Sequence, residues 1–294
     1  MNSTDLMFFA AVAETGGIGR AAARLNTVQS NVTGRIRALE RAMRVPLFYR
    51  GSRGVTLTRA GERLLPYAIQ VGRLLSEAHQ AVLAEGEPRG PLRIGAMETT
   101  AALRLPGPLA DFAGRHPEVD IALETGPTEW LIGRVLDRSL EGAFVAGPVV
   151  QAELTAIPVL TEDLVLVAHP AVTGLADLLD RLGRAREAKV LVFRAGCSYR
   201  RRLEAFLADR GLVHVRRMEF GTLDGILGCV AAGMGVTLVP RVVAEPARRA
   251  GRVSVHALPD AAGRAETLLV HRADSQPSVA FARFAEQIRA AFPT

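Results

Sequence analysis

Eight arginines fall within the first 58 residues: Arg20, Arg24, Arg35, Arg37, Arg41, Arg44, Arg50 and Arg53. Only Asp5, Glu14 and Glu40 oppose them, so this segment holds +5 of the +6 net charge of the 294-residue chain. A small basic segment on a near-neutral body suits a polyanion, because each neutralised phosphate releases condensed counterions. The same excess also fits a generally arginine-rich composition, in which Lys189 is the one lysine. Groups that would point to catalysis or metal binding are dispersed. His79, His116, His169, His214, His256 and His271 show no metal-ligand spacing and stand beside no nucleophile motif. Cys197 and Cys229 are too few and too far apart for a disulfide framework, and both are expected to be reduced. A helix N-terminus at Cys197 would lower its thiol pKa and make a redox sensor, but ligand binding or packing explains both cysteine-bearing stretches. The glycine-rich run from Gly228 to Gly235 lacks the preceding strand and following acid of a dinucleotide fingerprint, and reads as a tightly packed helix end. These patterns call for no catalytic residue, no metal and no cofactor.

The elements that must position the basic face follow from periodicity. Leu6, Phe9, Ala10 and Ala13 predict a helix over 4–14, ended by Gly16-Gly17, with a second short helix over 18–25. Asn26-Thr27 makes a turn in which Thr27 caps the next helix. That third helix, about 28–43, places Val28, Val32, Ile36 and Leu39 on one narrow face, leaving Ser30, Asn31, Thr33, Gly34, Arg37 and Arg41 free. Leu47 to Thr58 reads as a basic hairpin around Gly-Ser-Arg-Gly. From Thr58 to Ala84, the residues Leu64, Ala68, Val71, Leu75, Ala78 and Val82 form a coiled-coil seam about 40 Å long, expected to pair with a second copy. The alternative is a helix packed on its own domain.

Residues 85–91, Glu-Gly-Glu-Pro-Arg-Gly-Pro, break the pattern and mark a domain boundary. Beyond them strand and helix alternate: 92–96 then 100–115, 119–125 then 130–138, 142–146, 164–168, 190–194 then 198–210, and 225–232 then 236–239. This predicts a mostly parallel α/β sheet. Glycine and proline interrupt every apolar stretch short of a membrane span, and Met1 to Ala10 lack a cationic signal start. A cytoplasmic protein is expected.

Between residues 6 and 66 the chain carries Leu6-Met7-Phe8-Phe9-Ala10-Ala11-Val12-Ala13-Glu14, Ala21-Ala22-Ala23-Arg24-Leu25, Gln29-Ser30-Asn31-Val32-Thr33, Ile36-Arg37-Ala38-Leu39-Glu40, Leu47-Phe48-Tyr49-Arg50 and Leu57-Thr58-Arg59-Ala60-Gly61-Glu62. In this order and spacing the run resembles the winged helix-turn-helix of LysR-type transcriptional regulators, and the hinge and α/β tail extend the resemblance over the whole chain. The resemblance implies an α/β protein with an α-rich head. A winged helix-turn-helix domain (1–58) precedes a linker dimerisation helix and hinge (59–90). A two-lobed effector domain similar to type II periplasmic binding proteins follows (91–294; lobe I 91–160 and 267–294, lobe II 161–266). The third helix would enter the major groove of double-stranded DNA at an inverted repeat, with Thr27, Gln29, Ser30, Asn31 and Thr33 as its DNA-facing polar set. Gln29 would make a bidentate contact to adenine, Arg35 and Arg37 would clamp the backbone, and Arg50 and Arg53 of the wing would meet phosphates or the minor groove. Two positions depart from the family pattern: Gly17 where a serine often caps the second helix, and Gly34 where a larger polar residue is common.

The resemblance also implies a small-molecule effector between the lobes, met by three loops: Glu98-Thr99-Thr100, Cys197-Ser198-Tyr199-Arg200 and Gly221-Thr222. Hydroxyls of Thr100, Ser198 and Thr222, free helix N–H groups and the Arg200 cation would suit a carboxylate. Glu98 would instead hold the ammonium of an amino acid or polyamine. Helix capping explains the same hydroxyls without a ligand. Trp130 reads as lobe packing. A homodimer or homotetramer without catalytic activity is expected. The alternatives are an enzyme on a periplasmic-binding-like body and a DNA-binding protein that takes no ligand.

Overall fold

The computed structural model describes residues 1–51, 54–82, 86–185, 187–193 and 197–292, and the chain divides into two compact units, Met1–Glu85 and Gly86–Thr294. In the first, α1 (Ser3–Thr15) starts where the Asn2 side chain accepts from the Asp5 N–H at 2.8 Å, and stops at Gly16 in the left-handed region, φ 64°. Helices α2 (Ile18–Arg24) and α3 (Gln29–Met43) follow, then a hairpin of β1 (Phe48–Gly51) and β2 (Gly54–Leu57), then α4 (Arg59–Val82). Phe9, Val12, Ala21, Val32, Ile36 and Leu39 are fully buried, and the Phe9 ring lies 5.1 Å from that of Phe48, so the hairpin is fastened to the three-helix core.

Two expectations for α3 are corrected. Val28 is 65% exposed, because the helix starts one residue later and Val28 is its N-cap; the buried stripe is Val32, Ile36 and Leu39. Thr27 does not cap α3. Its Oγ1 instead accepts from Asn31 Nδ2 at 2.9 Å, and no side chain caps that helix.

The seam of α4 is divided. Ala68 is buried in the core of its own unit, with Leu64 and Val71 packed against the same cluster, so the first three turns are claimed by α1. Leu75 and Ala78 are exposed, as are Tyr67 and Leu74, which the heptad reading passed over. The Val82 side chain, Ala84 and Glu85 lie outside the described residues. Gly61 shows why α4 can approach so closely: a Cβ there would sit 2.3 Å from the Leu47 carbonyl oxygen and 2.8 Å from Leu57 Cδ2.

The second unit is built on β3 (Gly90–Ala96), β4 (Val119–Thr125), β5 (Gly142–Ala146), β6 (Leu154–Ala168), β7 (Ala188–Val192), β8 (Val215–Glu219), β9 (Thr237–Pro240), β10 (Ser254–Ala257) and β11 (Arg264–Arg272). Seven of them form one sheet in the order β10-β6-β11-β5-β3-β4, with β9 also on β6, while β7 and β8 pair separately. The expected mostly parallel sheet is corrected to a mixed one. Pairs β3-β4, β3-β5 and β7-β8 are parallel, whereas β6 and β11 run antiparallel to each other and to their other partners. The cause is β6. The strand expected over 164–168 extends back to Leu154, because its first half belongs to one lobe and its second half to the other.

The expected single helix over 100–115 is two, α5 (Glu98–Leu103) and α6 (Pro106–Arg115), broken before Pro106, whose ring disfavours helical geometry at the preceding residue. Further helices are α7 (Thr128–Leu136), α8 (Leu175–Arg184), α9 (Ser198–Ala208), α10 (Leu223–Ala231), α11 (Arg241–Arg249) and α12 (Val279–Ala291). Lobe I buries Phe112, Phe144 and Phe284 under α6 and α12. Lobe II has a cluster on each sheet face, one through Leu166 and Leu203, the other through Val165 and Val230. No helix among the described residues is long and apolar enough to cross a membrane.

The chain passes between the lobes twice, side by side: Thr161 pairs with Glu266 and Leu160 with Thr267, with a register shift between Thr267 and Leu268. Beside this crossing Glu162 is buried, and Arg104, from the α5–α6 break, holds it with two hydrogen bonds of 3.0 and 2.8 Å. The Glu162 hydrogen bonds raise the Arg104 pKa above its ordinary value, against the opposing effect of burial.

Two stability outcomes follow from these contacts. Gly61→Ala is expected to cost the first unit about 1–3 kcal/mol by overpacking, read as lost hydrogen-exchange protection of α1 and α4; unchanged protection would mean the hairpin and α4 can separate freely. Arg104→Ala leaves an unpaired carboxylate at the crossing and should cost about 3–5 kcal/mol, read from the Trp130 fluorescence transition in urea, while an unmoved midpoint would show that the pair holds nothing.

Candidate functional site

On the first unit, Gln29, Ser30, Asn31 and Arg37 are exposed on α3, and Thr33 is half-buried. The Thr27 hydroxyl holds the Asn31 amide in place, and the Gln29 amide lies over α2, where a Cβ on Gly19 would come within 3.2 Å of its nitrogen. Nothing lies within 4 Å of a Cβ at Gly34, so that glycine leaves open surface. Arg35 departs from its expected place beside Arg37. Its guanidinium turns back to Asp5 at 3.1 Å and lies 5.1 Å from the Phe8 ring centre, tying α3 to α1. Arg53 and the Arg50 side chain lie outside the described residues.

In the second unit, two pairs of adjacent parallel strands end at one cleft. Strands β3 and β4 are in register, Ala96 beside Thr125, and their C-terminal ends lead into α5 and α7. Strands β7 and β8 are likewise in register, Val192 beside Glu219, and lead through Phe193 and Phe220 toward α9 and α10. Ligands of open α/β sheets lodge beyond the carboxyl ends of such strands, and here a cleft of about 260 Å³ opens between these ends.

Of the residues expected there, Glu98, Thr99, Cys197, Ser198, Tyr199 and Gly221 line it. Thr100, Thr222 and Arg200 are not among its lining residues. Thr100 is buried. Thr222 is exposed and caps α10, its hydroxyl accepting from the Gly225 N–H at 3.2 Å. Arg200 is committed to Glu204 at 3.1 Å and Glu219 at 2.7 Å. Residue types and spacing do not reveal the fourth loop, Thr125-Gly126-Pro127-Thr128, or the walls Met97, Phe193 and Phe220. The signal was present, since Thr-Gly-Pro-Thr follows a strand as the other loops do, but its hydroxyl is partly spent: Thr128 Oγ1 accepts from the Ala146 N–H at 3.2 Å.

Two contacts cross the cleft. The buried Tyr199 hydroxyl of α9 is hydrogen-bonded to the Thr99 side chain of α5, and burial drives its pKa well above the usual phenol value. Arg201 of α9 pairs with Glu129 of α7 where both are exposed. Arg202 meanwhile donates to the backbone carbonyls of Arg264 at 3.0 Å and Gly147 at 3.3 Å, next to the lobe crossing. Burial pushes the Cys197 thiol up, outweighing the backbone N–H groups of Arg200 and Tyr199 that pull it down. Cys197 and Cys229 pack against clusters on opposite sheet faces of lobe II. A thiolate switch pairing them has no support in this geometry. Trp130 is 44% exposed, lies under the Arg134 guanidinium at 5.4 Å, and fills the space beside Gly126 without lining the cleft.

Comparison with known proteins places both units. Residues 3–62 match the bacterial regulatory helix-turn-helix protein, lysR family, and residues 85–293 match the LysR substrate binding domain. The chain is 40% identical over 292 residues to the HTH-type transcriptional regulator GltR of Bacillus subtilis, covering 98% of this chain and 96% of that one. It is 41% identical over 288 residues to the regulator YofA of the same organism, covering 98% of each. Among solved structures it is similar to a full-length OxyR variant from Pseudomonas aeruginosa (TM-score 0.73, 21% identity, 98% and 95% covered) and to full-length CbnR complexed with its target DNA (TM-score 0.67, 23% identity, 99% and 100% covered). At these identities the structural likeness speaks for the fold, while the family matches and curated relatives carry the assignment: the chain belongs to the LysR family of DNA-binding transcriptional regulators.

Proposed function

We propose that the regulator reads an inverted repeat with α3 of two or more heads, and that a small effector in the interlobe cleft sets its grip on the promoter. The observation that carries this reading is the pairing of two surfaces of different chemistry in one chain. One is an α3 face whose exposed polar side chains are partly pre-set, and the other is a cleft formed where two pairs of parallel strands end. CbnR, which shares this fold and is complexed with its target DNA, supports a DNA-binding role. We assign residues 1–58 to DNA binding, 59–90 to the linker helix and hinge, and 91–294 to effector binding, in a cytoplasmic homo-oligomer, and no enzymatic role is assigned.

On the DNA side, Gln29, Ser30, Asn31 and Thr33 meet base edges, with Thr27 holding Asn31 for that purpose. Arg37 and the wing arginines Arg50 and Arg53 meet phosphates. Arg35 acts from behind, by fixing α3 on α1. In the cleft, Thr99, Ser198 and Tyr199 with Glu98 are the polar contacts. On α4, Leu74 and Leu75 are better placed than Val71 to meet a second copy, since Val71 is already packed on its own head.

Two outcomes test the reading. Arg37→Ala should weaken binding on every sequence and lower the salt slope by about 0.9, whereas Gln29→Ala should relax preference at one base pair at about 1–3 kcal/mol; footprinting and salt titration separate the two, and identical behaviour of both variants would overturn the docking. Replacing Leu74 and Leu75 together with glutamate should shift the mass in light scattering toward the monomer, while an unchanged oligomer would place the assembly on the second unit alone.

A further inference from the structure

The chemistry of the effector can be narrowed from the groups the cleft leaves unspent, an argument that rests on the cleft being the effector site. Its charged lining residue, among those described, is Glu98. The carboxylate of Glu98 has no hydrogen bond or ion pair among the described residues. Among the described residues, the arginines at the start of α9 are engaged elsewhere: Arg200 with Glu204 and Glu219, Arg201 with Glu129, and Arg202 with two backbone carbonyls. Arg104 is held by Glu162.

Ser198 gives a second, independent sign. It is 5% exposed and lines the cleft, yet its hydroxyl makes no hydrogen bond among the described residues. The Ser198 hydroxyl is not among the enclosed side-chain atoms left without a partner, so it is open to the cleft and can donate to or accept from a ligand there. Thr128 and Thr99 are already bonded to protein groups. Phe193 and Phe220 stand side by side on the lobe II wall, joined by the Phe220 N–H donating to the Val192 carbonyl at 3.0 Å. The volume of about 260 Å³ lies just under the roughly 300 Å³ at which drug-sized pockets begin, which limits the ligand to a small metabolite.

A ligand that is only an anion would bring a second negative charge beside Glu98 with no described cation to offset it. An ammonium group resolves the balance, because a charge-assisted hydrogen bond to a partly desolvated carboxylate is among the stronger polar contacts a protein makes. We propose that the cleft takes a small ammonium-bearing ligand, its nitrogen on the Glu98 carboxylate, its apolar body against Phe193 and Phe220, and an acceptor or hydroxyl group on Ser198. An amine and a zwitterionic amino acid share this chemistry.

Three probes with one apolar body separate the sources in full-length protein: 2-phenylethylamine, phenylalanine and phenylacetate, followed by thermal shift and calorimetric titration. The amine, the amino acid or both should bind and raise the Tm, and phenylacetate should not. Glu98→Gln should raise the Kd of the bound amine or amino acid at least about tenfold, and Thr222→Ala, outside the cleft, should leave it unchanged. Gly221→Trp should abolish binding by filling the cleft mouth, where nothing lies within 4 Å of a Cβ. Binding of phenylacetate that survives Glu98→Gln but is lost in Gly221→Trp would overturn the ammonium assignment and keep the cleft. Binding that survives Gly221→Trp would overturn both, and binding by none of the three probes would overturn the ammonium inference.

Discussion

The antiparallel pairing of β6 with β11 is the constraint on which the second unit depends. Both strands cross between the lobes at the same level, around Thr161–Glu266 and Leu160–Thr267. Each lobe therefore keeps its own core while sharing one continuous sheet. Two paired strands restrict relative motion of the lobes to bending and twisting about this seam, the hinge mode of domain closure. The Arg104–Glu162 pair and the Arg202 contacts to Gly147 and Arg264 sit at the same place, so the seam is braced by charge that would be costly to leave unpaired. Everything in the cleft is then referred to one axis: Tyr199 and Arg201 on one side, Thr99 and Glu129 on the other.

In the first unit the corresponding constraint is close approach. Gly61 lets α4 rest on the hairpin, Ala21 and Ala22 are buried where α2 meets its neighbours, and Phe9 fastens the hairpin through Phe48. The exposed face of α3 is the remainder, and part of it is ordered by local contacts, Thr27 to Asn31 and Arg35 to Asp5. Ordering side chains before binding lowers the entropy lost on binding.

Elements with strong local signals were legible in the sequence: α1, α2, α3 and the hairpin, and the strand-to-helix loops at Glu98, Ser198 and Gly221. What periodicity could not show was any fact set by a partner distant in the chain. Strand β6 is legible only as its last five residues because those form an unbroken buried apolar run, whereas its first half is largely exposed and contains Pro158, which argues against a strand. Strand β11 escaped notice although it joins both lobes. Arg200 and Arg35 looked like free cations, and their acids, Glu219 and Asp5, lie 19 and 30 residues away. Thr222 looked like a ligand hydroxyl and serves as a cap, an alternative its position at a helix start always allowed. The heptad on α4 was real as a pattern, but a stripe of apolar residues does not say which surface claims it, and Ala68 went to its own head.

The central proposal is that the state of the interlobe cleft sets the grip of the DNA-binding heads on the promoter. Cysteines in place of Glu129 and Arg201, in a chain whose Cys197 and Cys229 are serine, can be bridged across the cleft mouth by a short bis-maleimide. The measurement is a footprint of the bridged and unbridged protein on the same operator. A changed extent or phasing of protection in the bridged form is the predicted result; superimposable footprints at equal occupancy would contradict the account.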